Sequence, residues 1–213
     1  MPNSTTLLNS PVLTIAEAVN AINKIELLNG IQAEVTLPAG LTSSGVIELT
    51  LIGPGGTPAV ITIAFPDPSV GTIAFTIPAS YATMNGEYTV STVIRDNLDN
   101  VVTEPHNSAF TVDTVAPTAP AKPTAYTDDV GSLQGTDSVE PVTDDKTPGI
   151  KVNVPAGTTP KLYVDGVLVP STYDAVNGTL TPNTPLTDGA HKFAYSLTDA
   201  AENESRPSSA LTL

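Results

Sequence analysis

Residues 46–65 read VIELTLIGPGGTPAVITIAF. Ile47, Leu49 and Leu51 alternate with Glu48 and Thr50, and beyond the glycine-rich break Ile61 and Ile63 flank Thr62. Period two means a strand with one buried face. Gly53-Pro54-Gly55-Gly56 lacks the lysine and following helix of a phosphate-binding loop, so it reads as the turn of a hairpin.

The same alternation runs through the chain. Ile73, Phe75 and Ile77 form one stripe, Ile150, Val152 and Val154 another, and Phe193, Tyr195 and Leu197 a third. Val164-Asp165-Gly166-Val167 predicts a tight hairpin, because Asp-Gly suits a type I′ turn. Strands are expected near 11–16, 31–37, 46–52, 59–65, 71–77, 86–95 and 107–113. A second set is expected near 123–127, 149–154, 160–164, 167–170, 177–181, 190–198 and 207–213. Ala16–Leu28 carries Ala18, Ile22 and Ile25 and predicts one or two helical turns between the first two strands. Seven short strands per hundred residues is the immunoglobulin-like pattern. The fold class is therefore all-β: two tandem immunoglobulin-like β-sandwich domains of about seven antiparallel strands each. Between them, Thr114 to Pro123 carries three prolines, which block pairing and favour an extended connector. The domains expected are 1–114 and 115–213.

Composition narrows the function. Hydrophobic residues make up 40% and charged residues 14% of the 213, with 20 prolines and no cysteine. Disulfides and thiolate metal sites are excluded. Eight Lys and Arg against 22 Asp and Glu give a net charge of −14, which argues against nucleic acid or an anionic membrane surface as partner. No apolar run is long enough to cross a membrane, and residues 1–6 do not open a secretory signal.

The acidic residues gather by topology. In a sandwich of seven alternating strands, the 1–2 loop and the end of the last strand share one pole, and the 6–7 loop lies at the other. Glu17, Asn23 and Glu26 in the first 1–2 loop thus fall at the pole of Asp113. Asp199 and Asn203, in the second module's 6–7 loop, fall at its N-terminal pole. Calcium takes about 6–8 oxygen ligands, and carboxylates facing one another repel unless a cation intervenes. These groups are read as a calcium site at the junction of the modules. The second 1–2 loop, with Asp128, Asp129, Asp137, Glu140, Asp144 and Asp145, repeats the pattern, joined by Asp188. In the first 6–7 loop, Asp96, Asp99 and Asn100 do the same. Asp and Asn are also ordinary turn residues that cap local backbone, which competes with the metal reading.

At these residues a resemblance appears. VDTVAPTAP, YTDDVGSLQG, TDDKTP, LYVDGVLV and LTDGAHKFAYSLTDAAENES resemble modules of the giant type I-secreted adhesins of Gram-negative bacteria, including the biofilm-associated proteins. LTIAEAVNAINKIE and GEYTVSTVIRDNLDN resemble a second module type of the same adhesins. The resemblance implies bacterial immunoglobulin-like domains with calcium held at module junctions by Asp113, Asp128, Asp129, Asp144, Asp145 and Asp199. Glu17, Asn23 and Glu26 match the acidic opening of the other module type. Where that family has Asp-Ala-Ala-Gly-Asn, this chain has Glu202 in place of Gly, and its first module has Asp96-Asn-Leu-Asp-Asn100.

No catalytic pattern stands out. His106 and His191 lie far apart without a nucleophile or metal motif. The chain is expected to be no enzyme but an extender segment of an extracellular cell-surface adhesin, with calcium as its cofactor. Its partners are expected to be neighbouring modules of the same chain, and the isolated segment is expected to be monomeric. Two alternatives stand beside this. One is a module binding a glycan or host protein, for which Tyr81, Tyr126 and Tyr173 are the loop-placed aromatic candidates. The other is a non-catalytic spacer of a secreted hydrolase. Sequons occur at Asn3, Asn177 and Asn203.

Overall fold

The computed structural model describes residues 7–132 and 134–213; Asn3 lies outside them. The chain divides into two compact units, one ending at Thr114 and the other beginning at Val115. Every ladder between named strands is antiparallel.

Among its described residues the first unit has seven strands: β1 (Val12–Ile15), β2 (Ile31–Thr36), β3 (Gly45–Ile52), β4 (Pro58–Phe65), β5 (Thr72–Ile77), β6 (Gly86–Asp96) and β7 (His106–Val112). They form one sheet in the order β1-β2-β5 and another in the order β4-β3-β6-β7. The alternating stripes point inward: Ile31, Ala33 and Val35 of β2 face Ile47, Leu49 and Leu51 of β3 in one buried cluster. Tyr88 stacks on Phe110 with ring centroids 5.2 Å apart, and its hydroxyl donates to Met84 O at 3.0 Å. This is the tyrosine corner of sandwich domains. It explains Gly53, since a Cβ there would lie 2.3 Å from the Tyr88 ring.

The stretch expected to be helical is split. Ala16–Val19 forms a 3₁₀ turn and α1 spans Lys24–Asn29. Ile22 interrupts them because it is fully buried and bridges Val112 of β7 in parallel. Burying one isoleucine outweighs a continuous helix with only one apolar face.

Among its described residues the second unit has nine strands rather than about seven: β8 (Tyr126–Asp128), β9 (Gly135–Ser138), β10 (Gly149–Lys151), β11 (Thr159–Val164), β12 (Val167–Val169), β13 (Ser171–Asp174), β14 (Thr179–Pro182), β15 (Lys192–Thr198) and β16 (Leu211–Thr212). Their sheets run β13-β14-β10-β8-β9 and β12-β11-β15-β16. The two unforeseen strands, β9 and β13, are the edges of the five-stranded sheet. Edge strands of polar residues carry no apolar alternation to detect. The acidic segment after β8 is therefore partly sheet, not one long loop. Asp165 and Gly166 take φ of 52° and 82°, as a type I′ turn requires, and join β11 to β12.

Candidate functional site

The expected metal-ligating side chains fall into three groups: one in the first unit, one loop that occurs once in each unit, and one in the second unit. In the first unit, the 1–2 connection is stitched to the end of β7. Ile22 N–H donates to Thr111 O at 2.8 Å, and Asp113 N–H donates to Ile22 O at 3.0 Å. Asp113 therefore sits beside Asn23 at one end of the sandwich. Asn23 Oδ1 accepts from the backbone of Ile25 (2.8 Å) and Glu26 (3.0 Å), and Glu26 Oε2 accepts from Asn23 N–H at 2.9 Å. This is a reciprocal capping box that starts α1. Glu17 Oε2 accepts from Gln32 N–H at 3.2 Å.

The second group comprises two copies of one loop. Asp96 Oδ1 accepts from the backbone of Leu98 and Asn100, each at 2.9 Å, and Asn100 Nδ2 reaches Asp96 Oδ2 at 3.1 Å. In the second unit Asp199 Oδ1 accepts from Ala201 and Asn203, each at 2.9 Å, and Asn203 Nδ2 reaches Asp199 Oδ2 at 3.2 Å. The fourth residue of each loop, Asp99 or Glu202, has φ of 66°. That left-handed position is where glycine fits without strain. The hydrogen bonds from Asn100 hold the Asp96 carboxyl below the usual carboxylate range.

The third group surrounds the end of β8. Asp128 is buried, and its Oδ2 accepts from Thr143 Oγ1 at 2.7 Å. Asp145 is also buried, and its Oδ1 accepts from Thr147 N–H at 2.7 Å. Asp144 Oδ2 accepts from Ser132 N–H at 3.2 Å. Asp129 is exposed; it lines a groove of about 340 Å³ with Asp145, Asp174 and Lys151. Asp188 pairs with Lys146 at 3.0 Å. Among the described residues, no three acidic or histidine side chains gather as a ready-made metal cluster. Apart from Asp188, each of these carboxylates described with a bond is held by amides or hydroxyls, the arrangement of polar turns.

Two arrangements escaped the sequence reading. Glu204 accepts from Tyr163 Oη (2.5 Å), Ser196 Oγ (2.6 Å) and Lys161 Nζ (2.9 Å). Burial pushes its carboxyl up, but the Ser196, Tyr163 and Lys161 bonds outweigh burial and hold it at about 2. Two of its donors, Lys161 and Tyr163, lie 43 and 41 residues away in sequence, so only strand pairing of β11 with β15 reveals them. His191 places Nδ1 2.8 Å from Asp165 Oδ2 and Nε2 2.9 Å from Thr187 O. The three tyrosines named for a ligand-binding module do not share one loop surface: Tyr126 is buried in β8, while Tyr81 and Tyr173 pack half-buried against the cores of different units.

No family model and no curated protein matches the chain. Solved structures do. One, of a 1.5-MDa bacterial ice-binding adhesin, superposes with a TM-score of 0.52 at 18% identity, covering 96% of this chain and 64% of that one. Another, of a Ca²⁺-stabilized adhesin with which an Antarctic bacterium binds ice, gives a TM-score of 0.54 at 19% identity over 95% of this chain and 48% of that one. This chain thus spans about half to two thirds of each of those. A single bacterial immunoglobulin-like domain from the M. primoryensis ice-binding adhesin matches 51% of the chain at 15% identity, with a TM-score of 0.34. At such identities the likeness is one of fold: tandem sandwiches of the immunoglobulin and fibronectin kind.

Proposed function

We propose that this chain is a non-catalytic extender segment of a large bacterial surface adhesin, working outside the cell, with calcium held at its module ends. The observation that carries the reading is the carboxylate loop built twice, at Asp96–Asn100 and Asp199–Asn203, with the same three contacts. A turn needed only for chain reversal can take many forms. Two sandwiches of different strand count have kept one form that leaves a carboxylate and an amide together. The adhesive resemblance of the sequence and the fold shared with ice-binding adhesins support the same reading.

The donors are oxygen throughout, the chemistry calcium prefers. The residues proposed to hold it are Asp113 with Glu17, Asn23 and Glu26 at one end of the first module, Asp96 at its other end, Asp199 in the second module's loop, and Asp128, Asp129, Asp144 and Asp145 around β8. Bound calcium supplies positive charge that turns carboxylate repulsion into attraction and stiffens the rod. For this, the Asn100 and Asn203 amides must turn, so that the carbonyl oxygen replaces Nδ2 toward the ion. Asn23 and Glu26 serve the capping box first, so they contribute least.

Calorimetric titration of metal-free protein tests this. Calcium should bind with micromolar to millimolar affinity. Asp199→Ala and Asp113→Ala should each remove part of the heat, and magnesium should not substitute. Absence of any calcium heat would contradict the metal reading and leave a plain spacer.

A further inference from the structure

From Leu49 through Gly86, Asp67 is the only charged side chain, in a chain of net charge −14. That stretch contains β4 and β5, which are edge strands of the two sheets of the first sandwich. β4 is eight residues long and pairs with β3 in unbroken register from Ile52↔Pro58 to Gly45↔Phe65. Among the described residues it has no strand on its other side. An edge of this length presents free N–H and C=O groups and is normally guarded by a charge, a bulge or a mid-strand proline. β4 has none of these; its one proline stands at the first position. Its outward side chains are Val60, Thr62 and Ala64, with Val60 52% exposed. The opposite edge, β7, differs: the Ile22 bridge closes one end of it. In the second unit β9 and β13 carry Asp137 and Asp174, and β12 is only three residues long.

We propose that β4 is a homotypic docking edge, pairing antiparallel with β4 of a second copy of this chain. The occupant follows from charge. Two copies of net charge −14 repel wherever carboxylates face each other, and β4 is the long edge along which they do not. An antiparallel edge is also complementary to itself across a two-fold axis. The axis must keep Ile61 and Ile63 on the core side in both copies, because a one-residue slip would turn them outward. It therefore passes through a residue, and pairing the whole length of β4 puts it at Ile61 or Thr62. In either register Thr62 lies opposite or diagonal to its own counterpart. A single-strand contact buries less than the ~1,200–2,000 Å² of a stable complex. The pairing is therefore weak, populated when many copies are crowded together, and strengthened by salt that screens the remaining charge. It amends the expectation of a strict monomer and does not depend on calcium.

Sedimentation of the whole chain over a concentration series tests it, with Thr62→Lys and Thr62→Glu; Thr62 is exposed but lies opposite Glu48 of β3, so the melting curve of each variant is recorded alongside to show that it is folded. Wild type should shift from monomer toward dimer at rising concentration, more so at higher salt. Each variant alone should stay monomeric, because like charges meet across the axis. An equimolar mixture of the two should dimerise again. A wild type that stays monomeric at millimolar concentration overturns the proposal. So does a Lys variant that associates like wild type, or a mixture that fails to recover.

Discussion

The loops at Asp96–Asn100 and Asp199–Asn203 have the same hydrogen bonds, but the sheets beneath them are fastened differently. In the first module Glu48 on β3 meets Arg95 on β6, at 2.8 and 3.1 Å. In the second the base is Lys161 on β11, and the acid, Glu204, directly follows the loop. The charges have exchanged places between centre strand and loop strand. Glu204 is also held by two hydroxyls, whereas Glu48 has the Arg95 guanidinium as its partner. The loop geometry is thus conserved between modules while its anchor is not, so the loop and its anchor are separable.

Removing the anchors should show the largest difference. Glu204→Ala leaves three donors without their acceptor and should cost about 2–3 kcal/mol in denaturant unfolding. Glu48→Ala removes the acceptor of a single donor group, the Arg95 guanidinium, in a pair whose side chains are 26% and 21% exposed, and should cost less, about 1 kcal/mol. Equal losses would mean the two anchors are energetically alike. Next, Asp96→Ala and Asp199→Ala should each lower the melting temperature in the absence of metal, because each removes a side chain that accepts from the backbone of its own loop. If neither variant loses stability, the loops are held by the ladder alone.

Smaller effects sharpen the loop itself. Glu202→Gly should stabilise by about 0.5–1 kcal/mol, because a side chain at φ 66° is strained. Asp99→Gly should gain less, since Asp tolerates that conformation through local hydrogen bonds. A loss of stability in Glu202→Gly would show the side chain contributes more than its backbone strain costs.

Protonation gives the finest probe. Glu204 has a folded value of about 2 against 4.5, so its contribution is present above pH 4.5 and lost as pH falls toward 2. His191 runs the other way. Hydrogen bonding by Asp165 and Thr187 O raises its value above 6.5. Its contribution is full below pH 6.5 and lost as pH rises through the folded value. Lys192 and the Lys146–Asp188 pair also lie near the ring, so Asp165→Asn is the cleaner variant. Melting temperature from pH 6 to 8 should decline less in Asp165→Asn than in wild type.

The first sandwich was almost wholly legible, because β2 and β3 bury every second residue and period two follows. The second was less so: β9 and β13 are polar edges, and β10 regular pairing stops at Lys151 although Val152 and Val154 continue the stripe. Of the candidate site, the Asp and Asn residues were legible from their recurrence in equivalent turns. What they bind was not: Asn23 reads equally as a ligand or a helix cap, and only the bonds to Ile25 and Glu26 show the cap. Glu204 was invisible because its meaning lies in three residues brought to it by strand pairing.

The most direct measurement is a thermal melt of this chain in excess chelator, in millimolar calcium and in millimolar magnesium. The account predicts a clear rise in melting temperature with calcium, absent with magnesium and reduced in Asp199→Ala, since an ion that binds only the folded state stabilises it. Identical melts in all three conditions would contradict calcium at the module ends and leave two sandwiches on a proline-rich connector.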